Sequence, residues 1–191
     1  VRSRLMGIPT LIKTLTASNS ASLEFVDGTA DVTLDSTYDE YMFVCTDIGP
    51  ATNASAFTFQ VNATDDAGGG YDTSLITSTA FEAYLSEADS NPTLTYNSGD
   101  DLAQSASGQQ IAFDIGNGAD ESCAGILHLF SPASTTYVKH FYSRFHTYMG
   151  SDYSNDQFVA GYINDTTAID EIQFKMDSGN FDGVIQMYGI S

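Results

Sequence analysis

Apolar and polar residues alternate along most of this chain with a period of two, the spacing that gives a strand one buried and one solvated face. Residues 11–16 and 22–26 read as short strands, with Leu23 and Phe25 facing one way and an Asp27-Gly28 turn behind them. Residues 41–45 form a near-continuous apolar run of the kind found in central strands. In residues 57–61 strict alternation sets Phe57, Phe59 and Val61 inward. Residues 75–77, 80–85 and 110–115 continue the pattern, and 124–130 is a strand ended by Pro132. No helix-sized segment has a helical period; residues 79–85 are the one place for a single helical turn. At 170–191, Ile172, Phe174 and Met176 alternate with polar residues, and Ile185 and Met187 do so after Ser178-Gly179-Asn180 and Asp182-Gly183. This pattern predicts a closing hairpin with those five side chains in the core.

Eight or more such strands, joined by long connections, predict an all-β, jelly-roll-like antiparallel β-sandwich. The expected division is an N-terminal arm over 1–10 and a single domain over 11–191. A hydrophobic content of 42% and an aromatic content of 12% suffice for one core. No apolar run approaches the ~18 residues of a membrane helix, so no membrane insertion is expected.

Charge narrows the partners. Twenty-five Asp and Glu against 6 Lys and Arg give a net charge of -19, a surface that repels phosphate and argues against nucleic acid. The acidic residues are scattered through turns, which fits solubility in a salty medium. A sharper reading is a Ca²⁺ site in the loop carrying Asp65, Asp66 and Asp72, although no EF-hand spacing is present; no other cofactor is expected. Arg2 and Arg4 make the arm basic, which suits docking on an acidic neighbour as well as a frayed end. Cys45 and Cys123 lie in strand-like runs and read as buried free thiols, a disulfide requiring neighbouring strands and an oxidising compartment.

Residues 137–148 concentrate the unusual chemistry, holding two of the 6 Lys and Arg and two of the 3 His. As one strand they place Tyr137, Lys139, Phe141, Ser143, Phe145 and Thr147 on one face. His140, Tyr142, Arg144, His146 and Tyr148 lie on the other. The second face is aromatic and cationic together, suited to a sugar, a carboxylate or a neighbouring subunit. It is ill suited to zinc, because His140 and His146 stand about 20 Å apart along a straight strand. No nucleophile elbow, metalloprotease or phosphate-loop motif occurs, and the expectation is a protein that is not an enzyme.

Residues 11–43, LIKTLTASNSASLEFVDGTADVTLDSTYDEYMF, resemble the β-modules of marine tailed-phage virion proteins of fibre or capsid-decoration type. The segments 99–105, 130–141, 158–162, 169–176, 178–180 and 188–190 look like the same group. The resemblance covers most of the chain from Leu11 onward and carries no catalytic motif. It implies a multimeric structural protein on the virion surface, with a trimer expected, in contact with other virion proteins and with host glycans. About ten residues precede the first strand, which favours a compact attached module over a complete fibre. The alternative is a lectin-like carbohydrate-binding module; a surface-polysaccharide hydrolase comes third.

Overall fold

The structure is a computed structural model describing residues 7–64, 70–71 and 74–191. Twelve strands make up its regular structure: β1 (Thr10–Ser20), β2 (Leu23–Val26), β3 (Glu40–Pro50), β4 (Ser55–Ala63), β5 (Ile76–Ser86), β6 (Thr93–Tyr96), β7 (Gln109–Ile115), β8 (Cys123–Phe130), β9 (Lys139–Met149), β10 (Tyr153–Ile163), β11 (Ile169–Met176) and β12 (Phe181–Ile190). No helix occurs among the described residues, and 79–85 is plain strand within β5.

All the pairings are antiparallel. Eight strands run in the order β1-β12-β3-β8-β9-β10-β5-β6, and four in the order β7-β4-β11-β2. The two layers join through one pair, Ile115 with Met149. Setting aside β5, β6, β9 and β10 leaves β1-β12-β3-β8 facing β2-β11-β4-β7. Counted along the chain, those eight strands fall into the two layers as 1-8-3-6 and 2-7-4-5, the order of a jelly roll. The other four strands come from two insertions, between β4 and β7 and between β8 and β11. They extend the first layer past β8 as an annex of β9-β10-β5-β6.

The expected hairpin at 170–191 is overturned. β11 pairs with β2 and β4, while β12 pairs with β1 and β3. The Ser178-Gly179-Asn180 turn, with Gly179 at φ 77°, therefore carries the chain from one layer to the other. Alternation fixes which face of a strand is buried and leaves its neighbour undetermined. The five core side chains are nonetheless buried as expected: Ile172, Phe174, Met176, Ile185 and Met187.

Between the layers lies a core of rings. Phe174 contacts Phe25, Phe43, Phe57 and Phe59 at centroid distances of 6.3, 5.4, 5.8 and 6.5 Å. Phe57 also meets Phe145 and Phe181. Offset and edge-on ring contacts of this kind add to the gain from burying apolar area. Cys45 and Cys123, on the neighbouring strands β3 and β8, are buried free thiols whose pKa values burial raises.

Candidate functional site

β9 positions the residues singled out in the sequence. Lys139, Phe141, Ser143, Phe145, Thr147 and Met149 point into the molecule and are buried. His140, Tyr142, Arg144 and His146 are exposed on the outer face, and Tyr148 is half-buried there. Tyr137 precedes the strand and is 73% exposed, so it does not share the inner face with Lys139. The buried Lys139 ammonium donates to the carbonyls of Asp165 and Thr167, which stabilises its charge out of contact with bulk water.

The outer face extends across four further strands. Cross-strand pairing aligns Ile126 of β8, Arg144 of β9, Phe158 of β10, Phe81 of β5 and Tyr96 of β6 in a single row. Phe81 and Phe158 stack nearly parallel, 4.8 Å apart and tilted by 4°. The Arg144 guanidinium lies 4.8 Å from the centre of the Phe158 ring. Its Nε and Nη2 donate to the two carboxylate oxygens of Asp156, at 3.0 and 2.8 Å. Asp156 thereby orients the guanidinium over the ring and raises its pKa. A second group of rings flanks the row: His128 stacks on Tyr142 at 4.5 Å, and Phe130 lies 5.7 Å from Tyr142. His128 Nδ1 is 2.5 Å from Glu40 Oε1, and His146 Nε2 is 2.9 Å from Ser154 Oγ. A shallow concavity of about 690 Å³ runs between these groups, bordered by Ile126, His128, Tyr142, Arg144, His146 and Asp156.

His140 stands apart, beside Tyr162 at 6.5 Å. The structure therefore gathers Tyr142, Arg144 and His146 around one hollow and leaves His140 and Tyr148 outside it. His128, Asp156, Phe158 and Phe81 went unread in the sequence. Their membership depends on the register of β8, β10 and β5 against β9, which no local pattern states. Part of the signal was inverted as well: on β10 the polar Asn155 and Gln157 are fully buried while Phe158 faces outward.

The underside of the annex correspondingly carries a polar cluster, beside the buried Ile76, Ala80, Val159 and Ile163. Asn155 Nδ2 donates to Glu82 Oε2 at 2.7 Å, and Gln157 Nε2 to Asp100 Oδ2 at 2.5 Å. Asn97 Nδ2 reaches both carboxylates, at 3.3 Å to Glu82 and 2.9 Å to Asp100. Gln109 Nε2 donates to the backbone carbonyl of Asp100 at 2.7 Å. Burial, reinforced by the nearby Glu82 charge, raises the Asp100 carboxyl to about 6 against the opposing pull of its Gln157 hydrogen bond.

The proposed docking residues Arg2 and Arg4, and the calcium candidates Asp65, Asp66 and Asp72, lie outside the described residues. No group of three or more His, Cys, Asp or Glu side chains able to hold a metal occurs among the described residues. No described helix is long and apolar enough to cross a membrane.

Fold and site together define a jelly-roll domain, widened by an inserted four-stranded annex, that displays a ring-lined hollow on its outer face. Comparison with protein-family models, with curated proteins and with solved structures gives no match.

Proposed function

We propose that the chain is a non-catalytic structural module on the exterior of a tailed-phage particle, and that the outer face of β8, β9, β10 and β5 is the surface through which it meets a neighbouring subunit. The observation that carries this reading is the row Ile126, Arg144, Phe158, Phe81 and Tyr96, which spans five strands with its rings turned to solvent. Rings and arginine are the side chains that dominate protein interfaces, because they bury much area for few torsions. The resemblance of the sequence to virion β-modules supports the setting.

The test pairs location with assembly. Purified particles analysed by mass spectrometry should contain the chain, and the isolated protein should sediment as a homo-oligomer, a trimer being expected. Tyr142→Ala with Arg144→Ala should lower the oligomer's association constant at least tenfold. A chain absent from particles, or a double variant with unchanged assembly, overturns the proposal.

A second reading is favoured by the stacked Phe81–Phe158 pair flanked by Arg144 and Asp156. Stacked rings bordered by charged hydrogen-bonding groups suit the apolar face and hydroxyls of a sugar, so the same hollow would hold a host glycan. Binding on a glycan array that disappears with Phe158→Ala, while assembly persists, would select this reading over the first.

A further inference from the structure

The two edges of the eight-stranded layer differ in charge. Among the described residues β1 pairs with β12 alone and β6 with β5 alone, so each leaves one side with unpaired backbone groups. Open edges of this kind are templates for another strand. The first 20 residues, which hold β1 and the arm before it, contain Arg2, Arg4 and Lys13 and no Asp or Glu. Half of the chain's 6 Lys and Arg thus fall on one edge strand and its arm, and none of the 25 Asp and Glu do. Residues 82–101, which run from β5 through β6 to the turn beyond it, contain five carboxylates and no Lys or Arg. Glu82 and Asp100 are buried. Glu87 and Asp89 are exposed ahead of β6, and Asp101 is half-buried behind it, where it accepts from the Tyr96 hydroxyl. Apolar side chains are exposed at both edges as well, Ile8 (87%) and Leu11 at one, Leu94 and Tyr96 at the other.

Strand direction is a second, independent constraint. The eight strands alternate in direction from β1 to β6, and because their number is even the two edge strands run oppositely. A copy turned about an axis along the strands therefore brings its β1 antiparallel to β6 of the first. We propose that the free edge of β6 takes β1 of a second copy of this chain, so that the sheet continues head to tail from subunit to subunit. Pairing like edges would also be antiparallel, but it would set the basic arm and Lys13 against themselves, or Glu87, Asp89 and Asp101 against themselves. Opposite charges meet only in the head-to-tail arrangement. A repeated head-to-tail contact closes into a ring when its rotation divides the circle. This contact rests on the homo-oligomer proposed above and gives it a second surface beside the outer face. β6 is only four residues long, so the pairing has few backbone hydrogen bonds and the charges set its strength.

The test uses the full chain. Thr14→Cys and Thr95→Cys each place an exposed thiol on an edge strand, the native Cys45 and Cys123 being buried. A short bismaleimide should link the two variants once they are mixed and have exchanged subunits, and should link neither variant to itself. Raising the salt concentration should weaken association. Glu87→Lys with Asp89→Lys should lower the association constant at least tenfold, and Arg2→Glu with Arg4→Glu likewise. All four substitutions in one chain again set opposite charges face to face and should restore association. Linkage of either Cys variant to itself, no linkage in the mixture, or a fourfold variant as weak as its parents overturns the proposal. Tyr142→Ala with Arg144→Ala separates the two surfaces. An oligomer that this pair dissociates but that gives no edge linkage keeps the outer face and overturns the edge, whereas edge linkage that persists in this pair supports the edge.

Discussion

Beneath β12, β3 and β8 the long sheet rests on phenylalanine rings, whereas beneath β10 and β5 the same sheet rests in part on amides and carboxylates, set beside the apolar Ile76, Ala80, Val159 and Ile163. β9 straddles the change, with Phe141 and Phe145 against the ring core and Ser143 and Thr147 as buried hydroxyls without partners. Ring packing is nearly non-directional and draws on many weak contacts, so losing one member is felt throughout the core. An amide–carboxylate cluster is directional. Losing one member strands specific atoms and leaves distant strands alone. The jelly roll should therefore behave as the cooperative unit of the fold, with the annex as a separately adjustable attachment.

The strongest way to break this contrast is Phe174→Ala, at the centre of four ring contacts. Denaturant unfolding should show a loss of about 3–5 kcal/mol with a single transition. A loss below 1 kcal/mol would mean that the rings do not form the cooperative unit. Next comes Gly125→Ala on the seam between the two regions, where the added methyl would run into the Arg144 carbonyl and the Phe145 ring. Overpacking there should cost about 1–3 kcal/mol, read from the same denaturant midpoint.

Asn155→Ala removes the donor from Glu82 Oε2 and should destabilise by about 1–2 kcal/mol. Its effect should be confined. Amide exchange should accelerate in β5 and β10, while thiol labelling of Cys45 and Cys123, sealed under β3 and β8, should keep its wild-type rate. Labelling that accelerates in step with annex exchange would show that the two regions open as one. The smallest effect on folding belongs to Tyr142→Ala on the outer face. Stability should change by less than about 1 kcal/mol even where partner binding is lost.

The same contrast decides what the sequence discloses. β3, β4, β11 and β12 cover the ring core, and the residues they turn to it, among them Phe43, Phe57, Phe59, Phe174 and Ile185, are apolar and recur in alternation, although β4 also buries Ser55, and Thr58 and Asn62 on its other face. β10 defeats that rule. Asn155 and Gln157 are buried through hydrogen bonds that form only when β5 and the 97–108 connection arrive, so an inward polar residue looks like a solvated one. β6 is four residues long with Leu94 75% exposed, too short to show a period. For the outer site, the contribution of β9 was legible because one strand carries Tyr142, Arg144 and His146 together. The Arg144–Asp156 pair and the Phe81–Phe158 stack are products of register, and register is a long-range property.

The pairing of β1 with β12 also has a mechanical consequence. These strands run antiparallel from Thr10 opposite Gly189, and the Gly7 amide donates to the Ser191 carbonyl at 3.1 Å. Tension applied between Gly7 and Ser191 would load the ladder from one end and open its hydrogen bonds in succession, as a zipper opens, because cross-strand bonds in an antiparallel pair stand perpendicular to the strands. A tether at one of the two points would leave the ladder unloaded.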